Sequence, residues 1–136
     1  MLPNQRSLED VNLTTSHYFP SAGTSHNTAG IDLGALLGDP DPSKFDVEIL
    51  VAAAPAHLNT GTPMVVTIQD SADNSTFIDT VPVITANIVG VGTSGSAAKT
   101  FIFRLPPGVR RYISVYMTSP SVEDNTGVLC TLKLLL

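Results

Sequence analysis

Apolar residues recur at every second position along most of this chain, and glycine and proline cut each run short. In FDVEILVAA (45–53), Phe45, Val47, Ile49 and Val51 share one side, with Asp46 and Glu48 opposite. In PMVVTIQD (63–70), Met64, Val66 and Ile68 oppose Thr67 and Gln69. Phe101, Phe103 and Leu105 alternate with Thr100 and Arg104; Ile113, Val115 and Met117 alternate with Tyr112, Ser114 and Tyr116. Val128, Cys130, Leu132 and Leu134 alternate with Thr131 and Lys133. A period of two is the signature of strands with one buried face. Weaker strand signals lie at AGIDLG near Ile31 and between 80 and 91. No stretch carries a helical stripe. The prediction is an all-β antiparallel sandwich or barrel of roughly eight short strands.

The punctuation agrees with that. LPPGV (105–109) sets proline before glycine, the chemistry of a type II turn. GDPDPSK (38–44) holds two prolines, which supply no N–H to a ladder, and SPSVEDNTG (119–127) reads as a polar loop. Residues 1–27 lack clear alternation and are rich in Ser, Thr and Asn, so they are expected to form an N-terminal arm lying on a partner or on their own domain. Residues 28–136 are expected to form one domain. The chain ends in KLLL, and three leucines are an odd choice for a frayed end. The last strand is therefore expected inside a sheet, or with Leu129 and Leu135 covered by the arm or another subunit.

Composition narrows function. Charged residues make up 14% of the chain and hydrophobic ones 43%, which suits a packed core under a Ser/Thr/Asn surface rather than a disordered chain. The net charge is -5 without a basic stripe, so a nucleic-acid partner is not expected. The longest strongly apolar run, ILVAAAPA (49–56), is too short to span a bilayer, so no membrane partner is expected either. The start, MLPNQRSLED, lacks a signal peptide's apolar stretch, so a soluble chain made in the cytoplasm is expected.

GVGTSG (90–95) spells the dinucleotide pattern G-x-G-x-x-G. That pattern needs a helix to follow, whose N-terminal N–H groups hold pyrophosphate, and an acid some twenty residues on. Here SAAKTFIFRL follows, a strand pattern, and the residues around Val115 include no acid. A loop between two strands is the expectation, with no cofactor. His17, His26 and His57 have neither i, i+4 spacing nor a companion Cys, so no metal is expected. Asp70, Asp73 and Asp79 flank a loop without the D-x-D-x-D-G layout of a calcium site; a solvated Asx turn is expected there, as at Asp39 and Asp41. Cys130 lies on the apolar side of its strand and reads as a small hydrophobe. No residue is assigned a catalytic role, and the chain is not expected to be an enzyme.

Three segments taken in order carry a resemblance: TAGIDLG (28–34), VVTIQDSADNSTF (65–77) and RLPPGVRRYISVYMT (104–118). Together they resemble the capsid cement proteins, also called decoration or auxiliary proteins, of short-tailed bacteriophages. The third segment is the most specific and the first is short. The resemblance implies a jelly-roll sandwich on the outer surface of the phage head, clamping neighbouring major capsid proteins. It implies a homodimer or homotrimer, made in the bacterial cytoplasm and located in the virion. The negative charge suits a place away from packaged DNA, and an arm that orders on binding adds contact area at an entropic cost.

For contact with shell or subunit, the arm residues Leu8, Val11, Leu13, Tyr18 and Phe19 are candidates. So are the basic cluster Arg104, Arg110 and Arg111 and the two tyrosines of one strand face, Tyr112 and Tyr116. The alternative is a sandwich that binds a ligand, such as a carbohydrate-binding module or a tail-associated accessory protein. It finds no Trp here and only that tyrosine pair as a platform.

Overall fold

The computed structural model describes residues 13–34, 45–54, 63–91, 95–120 and 125–135. Among the described residues ten strands run in chain order: β1 Thr14–Tyr18, β2 Ser25–Asn27, β3 Ile31–Asp32, β4 Asp46–Val51, β5 Met64–Ser71, β6 Ile78–Asp79, β7 Thr85–Ile88, β8 Lys99–Arg104, β9 Tyr112–Thr118 and β10 Leu129–Leu135. They form two antiparallel sheets. The first has the order β1-β10-β4-β8; the second has β2-β9-β5-β6, with β3 also on β9 and β7 also on β5.

β2 and β3 lie end to end along β9, and β6 and β7 lie end to end along β5. Counting each pair as one broken strand leaves eight strands, four per sheet. The chain crosses between sheets in jelly-roll order, with first and last strands adjacent. The alternation seen in the sequence sets the layering. Val47, Ile49, Val51, Cys130, Leu132 and Leu134 point inward from the first sheet; Met64, Val66, Ile68, Ile113, Val115 and Met117 point inward from the second. Burial of this double apolar face is the main force closing the sandwich. β10 lies between β1 and β4, so the apolar C-terminal strand is interior to its sheet.

Three expectations need correction. Residues 13–27 are not a separate arm: β1 pairs with β10 along its whole length and β2 pairs with β9. Leu13 and Phe19, offered as outward contacts, are buried in the core. The sequence hides this because TTSHY is polar throughout; its pairing comes from backbone hydrogen bonds and from the apolar residues at its two ends. Phe19 N donates to Val128 O at 2.9 Å, and Ser119 Oγ to Pro20 O at 2.7 Å, which ties the segment down further. Second, Thr67 and Gln69 face away from the core but are only 9% exposed, because β5 has neighbours on both sides. Third, the turn at Pro106–Val109 closes with a 3.3 Å bond from Val109 N to Pro106 O, but Gly108 is not in the left-handed region, so it is not type II. Proline at the second position suits type I equally, and a glycine after it permits either.

Candidate interaction surfaces

The three segments of the resemblance meet in space. β3 and β5 both pair with β9, which brings 28–34, 65–77 and 104–118 to one end of the second sheet. Two charge pairs tie them. Asp70, on β5, accepts from Arg110 N at 2.7 Å and from Arg110 Nη2 at 2.9 Å, and its carbonyl accepts from the same Nη2 at 2.8 Å. Asp32, on β3, accepts from Arg111 Nε at 2.8 Å and Nη2 at 2.9 Å, a two-point grip. Hydrogen bonding to the aspartates raises both guanidinium pKa values above the ordinary one, so both stay charged.

The glycines of the first segment fit between these groups. A Cβ on Gly30 would stand 2.1 Å from Asn74 Oδ1 and 3.1 Å from Phe77 Cζ, and one on Gly34 would stand 2.7 Å from Arg111 Nε. Asn74 itself takes a left-handed φ of 60°. The loop before it is organised by Asp73, whose Oδ1 accepts from Ser75 N and Thr76 N at 2.9 Å and from Ser71 Oγ at 2.8 Å. Those donors, the Thr76 N–H foremost, hold the Asp73 carboxyl at about 2. This is the Asx turn expected from the sequence.

Each proposed contact residue can now be placed. Leu8 and Val11 lie outside the described residues. Tyr18 is 54% exposed at the end of edge strand β1. Arg104 pairs with Asp46 across β8 and β4. Arg110 and Arg111 are spent on the two aspartates, although both guanidinium groups remain partly open to solvent. The three arginines therefore do not act as one basic patch: Arg104 belongs to the first sheet, and Arg110 and Arg111 to the end of the second.

Tyr112 and Tyr116 are half-buried on the outer face of the second sheet. Between and beside them runs a polar network. Asn27 Nδ2 donates to Gln69 Oε1 at 2.9 Å and to Ser114 Oγ at 2.8 Å; Gln69 Nε2 donates to Asp79 Oδ1 at 2.8 Å. Arg111 lies over the Tyr112 ring, 5.2 Å from its centroid. The outer face of the first sheet carries a shallow groove of about 240 Å³ lined by residues including Leu50, Leu129, Thr131, Lys99 and Thr100, with no aromatic among its lining residues.

Sequence reasoning missed one close pair. His17 and His26, on edge strands of different sheets, bring their rings to 4.2 Å, and both bond the carbonyl of Tyr18, at 2.8 and 2.9 Å. Their spacing of nine residues belongs to no regular element, so only the crossing of β1 to β2 reveals it. Among the described residues no three His, Cys, Asp or Glu side chains gather as a metal site, and no helix is long and apolar enough to cross a membrane. Of GVGTSG, residues 92–94 lie outside the described residues; on either side of them Val91 N donates to Gly95 O at 2.8 Å, and Gly95 takes a φ of 72°. Strands flank the segment on both sides, as the sequence implied.

No protein-family model matches the chain, and no curated protein matches it. Solved structures do. The PBSX exported protein XepA aligns with a TM-score of 0.51 at 13% identity, over 88% of this chain and 36% of that one. The chain thus spans about a third of XepA. Desmodium yellow mottle tymovirus aligns at TM-score 0.45 and 10% identity, over 89% and 82% of the two chains. A family 16 carbohydrate-binding module aligns at 0.40 and 13%, over 85% and 73%. At these identities the likeness is one of fold.

Proposed function

We propose that this chain is a virion structural protein of the capsid cement class, binding the outer surface of a phage head and clamping neighbouring major capsid proteins. One observation carries the reading. The three segments that resemble cement proteins are far apart in sequence, yet they interlock through Gly30 with Asn74 and Phe77, Asp32 with Arg111, and Asp70 with Arg110. Scattered chance matches have no reason to share one corner of a fold. The segments act as a structural unit, and that supports the reading. A clamp needs a rigid frame that presents area, and a jelly roll locked at one end by charge pairs supplies it. On this reading the protein is not an enzyme, and its partners are the shell protein and further copies of itself.

The second reading, a sugar-binding sandwich, rests on Tyr112 and Tyr116 on the outer face of the second sheet. It is weaker because the intervening amide groups of Asn27 and Gln69 already bond each other, Ser114 and Asp79. Co-sedimentation tests the first reading. The purified protein, mixed with phage heads lacking it, should pellet with them to a saturating ratio that is a simple fraction of the shell subunits. Failure to pellet, together with retention on an immobilised polysaccharide that Tyr116→Ala abolishes, would favour the second.

A further inference from the structure

Residues 19–24 carry the chain from β1 of the first sheet to β2 of the second, and this crossing is tied down along its length. Phe19 is buried in the core. Gly23 N donates to Pro120 O at 3.0 Å, Thr24 N to Ser21 O at 3.1 Å, and Ser119 N to Thr24 O at 3.1 Å. Thr24 Oγ1 donates to Ser21 O at 2.7 Å as well. At either end the strands are held by pairing, β1 on β10 and β2 on β9. His17 and His26 therefore stand at set positions, their rings 4.2 Å apart and crossed at 66°. Spacing along the chain argues against a metal here; the crossing between sheets is what brings the pair together.

The bond that the two rings share fixes their chemistry. Tyr18 O can only accept, so His17 Nδ1 and His26 Nε2 each carry a hydrogen and donate it. In a neutral imidazole the other nitrogen then holds a lone pair. Those nitrogens are His17 Nε2 and His26 Nδ1. The two nitrogens of an imidazole point to opposite sides of the ring, so both lone pairs face away from the shared oxygen. His17 is exposed and His26 half-buried, so water and small ions reach them. A histidine that ligates a metal characteristically gives its second N–H to a carboxylate or a backbone carbonyl, which sets its tautomer and holds the ring. Here one carbonyl does this for two neighbouring rings.

We propose that His17 and His26 form a site for one divalent transition-metal ion of the kind that imidazole suits, such as Cu2+, Ni2+ or Zn2+. His17 Nε2 and His26 Nδ1 are the ligands. Among the described residues no three His, Cys, Asp or Glu side chains gather, so water completes the coordination, and the site differs from a closed structural zinc centre with four protein ligands. The net charge of -5 favours a cation. Because the ligands come from strands of different sheets, a bound ion staples the sandwich where the chain crosses. The unfolded chain does not hold the two rings together, so the ion favours the folded state. The inference is independent of the cement reading and is tested on the free protein.

Thermal unfolding of the purified chain, followed by circular dichroism in ZnCl2, in MgCl2 and in EDTA, is the experiment, with calorimetric titration for the stoichiometry. Zn2+ should bind at one ion per chain and raise Tm, and EDTA should reverse the rise. Mg2+, which prefers oxygen ligands, should leave Tm unchanged. His17→Gln and His26→Gln should each abolish the rise, whereas His57→Gln should keep it. Each variant is compared with itself in EDTA, so a lower starting Tm does not blur the readout. Should a glutamine variant fail to fold, 15N NMR of the wild-type imidazoles takes its place, and Zn2+ should shift His17 Nε2 and His26 Nδ1. A Tm that Zn2+ leaves unmoved overturns the proposal. So does a rise that Mg2+ reproduces, that survives either glutamine substitution, or that His57→Gln removes. Zinc-insensitive imidazole resonances overturn it equally.

Discussion

Asp70 is buried against the backbone N–H and guanidinium of Arg110, two residues past the Pro-Pro-Gly turn, and this pair fastens β5 to the segment that enters β9. Asp70 is 5% exposed, and removing its carboxylate leaves Arg110 N without its acceptor. Asp70→Ala should therefore lower unfolding stability by about 2 kcal/mol, as for a buried hydrogen-bonded charge. Arg104→Ala, at a solvent-exposed pair, should cost much less. Urea denaturation of the two variants checks both, and equal losses would contradict the assignment.

Gly30 and Gly34 should respond differently to the same methyl group. At Gly30 it meets Asn74 Oδ1 and Phe77 Cζ, and Asn74 is already held in a left-handed conformation. Gly30→Ala should cost about 1–3 kcal/mol, the range for overpacking. At Gly34 the obstacle is the Arg111 side chain, which is long and partly exposed and can swing aside. Gly34→Ala should be the milder change in thermal melts.

Removing residues 1–24 should unfold the domain rather than trim an appendage. The cut takes away β1, the edge partner of β10, together with core residues Leu13 and Phe19. Phe19→Ala alone should cost about 3–5 kcal/mol. A truncated chain that keeps a native circular dichroism spectrum and a cooperative melt would contradict the placement of β1.

Asp73 gives the fold a dependence on acid. Its carboxyl, ordinarily at 3.8, is held at about 2 by the Thr76, Ser71 and Ser75 donors. A depressed carboxyl contributes stability that is whole above pH 3.8 and is lost as pH falls toward 2. Asp73→Asn should flatten the stability profile in that window, lowering stability at neutral pH, where the carboxylate's contribution is whole, and converging on the wild type as pH falls toward 2. An NMR titration should place the native carboxyl near the lower value.

Cys130 should be inert while the protein is folded. Burial pushes its thiol up to about 12, so the reactive thiolate is scarce at pH 8. A thiol reagent such as DTNB should label it only at the rate of unfolding, and rapid labelling of native protein would contradict its position in the core.

Much of this architecture was legible because period two maps directly onto a sandwich. Val47, Ile49 and Val51, Ile113, Val115 and Met117, and Cys130, Leu132 and Leu134 all face the core as their alternation implied. β1 was not legible, because an edge strand such as TTSHY is held by backbone pairing and needs no apolar face of its own. The role of the arginines was hidden for a related reason. Arg104, Arg110 and Arg111 look like one basic cluster on paper, but Asp46, Asp70 and Asp32 come to them from other strands.

The central claim is a place on a phage head. Quantitative mass spectrometry of purified virions from the phage that encodes this chain tests it most directly, through the ratio of this protein to the major capsid protein. The account predicts one copy per shell subunit or a simple fraction of that. Absence from the particle, or only a handful of copies, would contradict it.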